Sequence, residues 1–186
     1  MTTSTTALAA GTWNADPTHT DVSFKARHMG VGKVRGNFEL TSGTLTVGAN
    51  GIEDSTVTAV IDVASVETKS EQRNDHVKSA DFLDAEKFPT IDFVSTGIRD
   101  FDGENFTLIG DLTVHGVTKS VELAAEFNGA LTDAYGLERS GFSAEVTISR
   151  KEFGVDIQMG FGAGNAVVSD KIEIAIDIEF VLASGE

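Results

Sequence analysis

Residues 171–182 read K-I-E-I-A-I-D-I-E-F-V-L, with Ile172, Ile174, Ile176, Ile178, Phe180 and Leu182 at every second position and mostly acidic residues between them. A period of two with one apolar face predicts a β-strand that is dry on one side and wet on the other. The alternation recurs at Val22, Phe24, Ala26 and His28, at Phe38 and Leu40, and at Val57, Ala59, Ile61 and Val63. It returns at Phe106, Leu108 and Leu112, at Val121, Leu123, Ala125 and Phe127, and at Phe142, Ala144, Val146 and Ile148. Turn signals lie between the runs: Gly30 and Gly32, Asn50-Gly51, Asp102-Gly103, Asn128-Gly129 and Tyr135-Gly136. They predict antiparallel neighbours joined by hairpins. About eight one-sided strands with one helical stretch to cover them must bury their apolar faces against each other, in a barrel or a two-sheet sandwich. The barrel is preferred because closure also removes exposed edges. The expected fold is therefore an all-β antiparallel barrel.

The pattern breaks over residues 67–89, E-T-K-S-E-Q-R-N-D-H-V-K-S-A-D-F-L-D-A-E-K-F-P. Thr68 followed by Glu71 forms a capping-box pattern and predicts a short helix over about 70–79. A second turn around residues 81–87 carries Phe82, Leu83 and Phe88, and Pro89 marks the return to extended chain over 90–95. This helical insertion is expected to lie over one end or side of the barrel.

Composition narrows the function. The chain has 186 residues, long enough for one domain that fills a core or encloses a cavity. We assign residues 12–182 to that domain and 1–11 to a flexible N-terminal segment. Fourteen Lys and Arg face 29 Asp and Glu, a formal charge of -15, which disfavours electrostatic binding of nucleic acid or anionic lipid headgroups. The acids fall on outward strand positions, where they keep a β-rich surface soluble. Cysteine is absent, so disulfides, thiolate metal sites and cysteine nucleophiles are excluded. The N-terminus has no basic region followed by an apolar stretch of secretory length, and no run approaches the roughly 18–20 apolar residues of a membrane helix. A cytoplasmic, soluble protein without stable membrane insertion is the expectation.

No motif marks a catalytic centre. His19, His28, His76 and His115 are scattered without ligand spacing. Gly160, Gly162 and Gly164 form a glycine-rich stretch with no helix after it, read as a loop near the barrel mouth rather than a phosphate cradle. No G-x-S-x-G elbow occurs. Neither a cofactor nor a metal is expected. Twelve Phe against one Tyr and one Trp give an aromatic surface almost free of hydrogen-bonding groups, suited to packed core or hydrocarbon ligand alike. Periodicity leaves both open, since an eight-stranded barrel can be filled by its own side chains or hold one ligand.

A more specific signal lies in the insertion. Asp75-His76-Val77-Lys78-Ser79-Ala80-Asp81-Phe82-Leu83-Asp84, then Glu86-Lys87-Phe88-Pro89-Thr90-Ile91, resembles the signature of the YceI-like family of lipocalin-like, polyisoprenoid-binding proteins. Further pieces stand in matching order: Trp13, Asp16 and His19; Val22, Phe24 and His28; Gly36 and Phe38; Gly110-Asp111-Leu112-Thr113-Val114 with Gly116-Val117-Thr118-Lys119; Arg139-Ser140-Gly141-Phe142; Ser149-Arg150 with Phe153-Gly154. The resemblance spans about residues 12–180. Val77 and Thr20 depart from it, where the family commonly has Leu and Ser, and many members are exported.

The resemblance implies a lipocalin-like antiparallel β-barrel whose apolar channel holds a long-chain isoprenoid or related amphiphilic lipid, with homodimers common in the family. On inward parity, or on the segments flanking the barrel, the expected lining is Phe24, Phe38, Phe82, Phe88, Phe93, Phe142 and Phe153. Candidates for the polar end of a ligand are His28, Arg73, Asp75, His76 and Arg150, which offer donors or charge. Structural roles compete at each: His28 as a strand cap, Asp75 with His76 as an anchor for the insertion, Arg150 in a salt bridge to an acid. Two other classes remain, an enzyme using His28, His76 and Asp75 on a cavity-bound lipid or quinone, and a solid structural or stress-protective barrel. An enclosed volume of ligand size separates the solid barrel from the rest.

Overall fold

The computed structural model describes residues 8–157 and 167–183; the glycine-rich stretch at 160–164 lies outside them. Eight strands follow one another: β1 Gly11–His28, β2 Gly32–Gly48, β3 Gly51–Glu67, β4 Thr90–Arg99, β5 Asn105–Val114, β6 Val117–Thr132, β7 Glu138–Ser149 and β8 Val168–Leu182. Each pairs antiparallel with the next, and β8 closes onto β1. The one-sided strands thus bury their apolar faces inside an up-and-down lipocalin-like barrel with no open edge. A short helix, α1 Glu71–Lys78, separates β3 from β4, and a 3-10 turn at Arg150–Phe153 follows β7. No described helix is long and apolar enough to cross a membrane.

Two local expectations are corrected, and one hairpin turn lies where no signal marked it. Asn128-Gly129 is not a turn: both residues lie inside β6, where the register against β7 shifts between Phe127 and Gly129. The glycine serves a bulge instead. The β5–β6 hairpin turns at His115-Gly116, both with positive φ (53° and 73°). A two-residue loop with both φ positive is the hairpin-type turn whose twist matches the strands, here with His where Asn or Asp is usual. The helix cap is Ser70 rather than Thr68: the Ser70 side chain accepts from the Arg73 backbone N–H at 3.4 Å. Thr68 is turned inward, its N–H and hydroxyl both donating to Asn74 Oδ1 at 2.8 and 2.6 Å.

Antiparallel order gives the barrel two distinct rims. One gathers the starts of β1, β3, β5 and β7 and is sealed by packing: Trp13, fully buried, sits with Leu45, Val47 and Phe180, beside a second group of Ile52, Phe106 and Ala125. Leu8 packs against both groups. Near this rim β1 breaks register around Pro17, and Arg139 on β7 ties the irregular stretch down. Its Nη1 reaches Asp16 at 3.0 Å and Glu179 at 3.3 Å, and its Nε reaches Asp133 at 2.8 Å. Hydrogen bonds from Thr18, contact with His19 and the Arg139 guanidinium hold the Asp16 carboxyl well below the usual carboxylate range. The opposite rim gathers α1, the 3-10 turn and the β1–β2 turn.

Candidate functional site

Inside the barrel lies a cavity of about 610 Å³, within the roughly 300–1,000 Å³ range of small-molecule sites. All eight strands line it. The alternation that builds the strands also builds this wall, because side chains two apart share a face. Ile172, Ile174, Ile176 and Ile178 of β8 line the void and are half-buried rather than sealed. Ala26, Ala59, Ala125 and Ala144 also face it, leaving width that a larger residue would fill.

Six of the expected phenylalanines border the cavity: Phe24, Phe38, Phe82, Phe93, Phe142 and Phe153. Phe24 and Phe38, on adjoining strands, pack with ring centroids 5.3 Å apart. Gly36, opposite Phe24 in the register, leaves room for this: a Cβ there would fall 2.5 Å from the Phe24 ring. Phe142 stacks tilted on Phe127 at 5.1 Å and meets Phe106 and Phe180 edge-on, joining the cavity wall to the sealed rim. Phe93 turns inward with Ile91, and Val94 points outward with 51% of its surface exposed, which resolves the parity of that strand. Phe88 does not reach the cavity. The turn that bonds its N–H to the Asp84 carbonyl carries it outside, where its ring meets His115 at 4.7 Å and covers Gly116.

Polar side chains gather at the rim carrying α1. His28, Thr68, Ser70, Gln72, Arg73, His76 and Arg150 border the cavity there, and the exposure of His28, Gln72 and Arg73 marks this as its mouth. Deeper in, the Ser55 hydroxyl donates to the Gly51 carbonyl at 2.7 Å. Along α1, Gln72, Arg73, His76 and Val77 share the cavity side as the helical period requires. That period puts Asp75 on the far side, so it does not join the mouth: it pairs with Lys78 at 3.1 Å beside a separate shallow hollow. The carboxylate beside His76 is instead Asp81, 3.2 Å from Nε2, while the imidazole meets Phe82 edge-on at 4.9 Å. The trio of His28, His76 and Asp75 required for acid–base chemistry is therefore not assembled.

Arg150 departs from its expected salt bridge. Only 7% exposed, it donates through Nε to the Ser169 carbonyl (3.1 Å), through Nη1 to Val155 (2.6 Å) and through Nη2 to Val168 (3.3 Å). A planar fork of donors suits three converging carbonyls, and it fastens the 3-10 turn to the start of β8. Asn74 went unremarked in the sequence. It is buried, accepts both Thr68 bonds and donates through Nδ2 to Glu67 at 2.9 Å, which seats α1 on the end of β3. A lone Asn in a polar helix gave no signal of this.

Asp16, His19 and Glu179 place ligand-type atoms within 4.8 Å of one another at the sealed rim. The Arg139 cation already pairs with both carboxylates, and the group reads as an ion-pair network.

The YceI-like domain model matches residues 13–180. The chain is 37% identical over 139 residues to a UPF0312 protein of Vibrio vulnificus, covering 75% of this chain and 74% of that protein. It is 34% identical over 163 residues to one of Pseudomonas putida, covering 88% and 81%. Among solved structures, the Campylobacter jejuni YceI protein superposes with a TM-score of 0.72 at 27% identity, covering 85% of this chain and 90% of that one. A polyisoprenoid binding domain from Saccharophagus degradans, implicated in plant cell wall breakdown, superposes at 0.70 with 14% identity, covering 92% and 98%, a likeness of fold. With the order of strands, the helical insertion and the motifs all within the matched span, the chain belongs to the YceI-like family.

Proposed function

We propose that the protein binds a long-chain isoprenoid or related amphiphilic lipid noncovalently, with the tail in the barrel and the polar end at the mouth, and acts by sequestration or carriage without covalent change. The observation that carries this reading is the 610 Å³ cavity, apolar along its length and polar at one rim. Its volume favours an internal ligand over a solid barrel, and the separation of Asp75 from His28 and His76 favours a binding protein over an enzyme. The likeness to a polyisoprenoid binding domain supports the class of ligand through the fold it shares.

Affinity comes from the tail. At about 0.8 kcal/mol per buried CH₂, some 15 buried carbons contribute on the order of 12 kcal/mol before the costs of association. Head-end groups supply orientation: Arg73 uses Nη1 on the Thr68 carbonyl at 3.1 Å and keeps further N–H donors for a phosphate or carbonyl, and His28 and His76 flank it at the mouth.

The test is uptake of a fluorescent polyprenyl analogue by wild type and by two cavity-filling variants, Ala144→Phe and Ile174→Phe. Both substitutions place bulk in existing space, so folding is expected to survive, as near-UV and far-UV circular dichroism will report. Wild type is expected to bind with a 1:1 endpoint and each variant at least tenfold more weakly. Folded variants that bind as wild type would overturn the reading.

A further inference from the structure

The net charge of -15 is unevenly placed. Of the 14 Lys and Arg residues, all but Arg99 and Arg139 lie in the half of the barrel that carries the mouth, whereas Asp and Glu populate both halves. The cations concentrate on one hairpin. The register of β1 and β2 sets Lys25 directly opposite Arg35, and sets Arg27, which also borders the cavity mouth, directly opposite Lys33. Like charges facing each other across a ladder destabilise it, so the fold alone gives no reason for this arrangement. Glu173 on β8 pairs with Lys25 and lies in the field of Arg27 and Lys33. Nearby carboxylates are engaged elsewhere: Glu67 with Lys69 N–H and Asn74, Asp170 with Ser149 and Lys151 N–H. Among the described residues no salt bridge joins Arg27, Lys33 or Arg35 to a carboxylate.

Immediately beyond these four cations the hairpin ends in an apolar tip. Val31 is 93% exposed and Met29 38% exposed, held by Met29 N–H to the Val167 carbonyl (2.9 Å) and Val31 N–H to the His28 carbonyl (3.2 Å). His28, next to the tip, borders the cavity. A projecting apolar tip backed by a ring of Lys and Arg has the chemistry of a segment that inserts shallowly among lipid headgroups while its cations meet phosphates.

We propose that the β1–β2 hairpin docks the barrel mouth-first onto an anionic bilayer surface, with Val31 and Met29 at headgroup depth and Lys25, Arg27, Lys33 and Arg35 against phosphate. Acids also stand at the mouth, around α1: Asp75 pairs with Lys78 and Asp81 with His76, while Glu71, Asp84 and Glu86 keep that segment acidic, so the hairpin and not α1 leads the contact. The acids of the sealed rim are too far away to oppose it: interactions between exposed charges decay over about 8 Å at physiological ionic strength, and strands of 15–18 residues such as β1 and β8 run about 50–60 Å at about 3.3 Å per residue. Docking in this pose faces the mouth to the lipid. The inference rests on the hairpin and stands independently of what the cavity holds.

The test is co-sedimentation of the full chain with vesicles of phosphatidylcholine alone or with one-third phosphatidylglycerol, at low and raised ionic strength. Wild type is expected to prefer the anionic vesicles and to lose that preference with salt. Lys33→Glu and Arg99→Glu alter net charge equally at opposite ends of the barrel. At about fivefold per basic charge near an anionic surface, K33E is expected to weaken binding about 30-fold and R99E to leave it unchanged; Val31→Asp is expected to weaken it as well. Equal effects of K33E and R99E, or no preference of wild type for anionic vesicles, would overturn the proposal. Ala144→Phe is expected to dock as wild type even where it holds no lipid. Loss of docking in that variant would overturn the proposal too, since lipid uptake rather than the hairpin would then be reading the vesicle.

Discussion

Arg150 illustrates how a charged side chain can be structural at the edge of a cavity. Its guanidinium is buried and joins three main-chain carbonyls from Val155, Val168 and Ser169, so truncation leaves buried acceptors without donors. Arg150→Met is expected to cost about 3 kcal/mol, a fall in Tm of about 6–12 °C for a domain of this size. Arg150→Lys keeps the charge without the planar fork and is expected to fall between. Thermal unfolding followed by circular dichroism checks both; a Tm within about 2 °C of wild type for R150M would contradict the clamp. The residue was legible in the sequence as important, but its partners were not: an acidic chain makes a carboxylate the natural expectation, and main-chain carbonyls carry no sequence signature. Asp75 failed for a different reason. Its place beside His76 suggested a pair, yet neighbours in a helix point about 100° apart, which sends one to the mouth and the other to Lys78.

Strands were the most legible elements, because alternation states both the period and the buried face. The isoleucines of β8 and the alanines at 26, 59, 125 and 144 could be placed on the inner face directly. Turns were less so: Asn128-Gly129 carries the hairpin signal yet lies in β6, where pairing with β7 continues past it, whereas His115-Gly116 lacks the signal and turns. The irregular stretch of β1 around Pro17 gave no warning of the Arg139 network that secures it, since Asp133, Arg139 and Glu179 are distant from Asp16 in sequence and meet only through barrel closure. That network has a pH signature. The Asp16 carboxyl lies below its ordinary value of 3.8, so its contribution is fully present above that value and is lost as pH falls below it toward the folded value. Wild type is expected to lose Tm between about pH 5 and pH 2. Asp16→Asn is expected to start about 2–4 °C lower at neutral pH and to fall less steeply over the same window. Parallel curves for the two proteins would contradict the role of Asp16.

At the scale of the whole molecule, the barrel separates its functions along one axis. Aromatic and aliphatic packing seals the rim at Trp13, isoleucines and alanines keep the middle open, and α1 with the Arg150 clamp frames the mouth. Whether the inner face was filled or hollow was not legible, because period two fixes which residues face inward and says nothing of the distance across. That distance follows from strand number and stagger, and from small residues recurring at facing positions. The most direct measurement of the central claim is mass spectrometry of the full chain purified without detergent, intact under native conditions and as an organic extract compared with a mock purification. A stoichiometric isoprenoid, quinone or fatty amphiphile that leaves on denaturation is the expected result. Protein that carries no lipid and takes none up when offered polyprenyl, quinone and fatty acid would contradict the account.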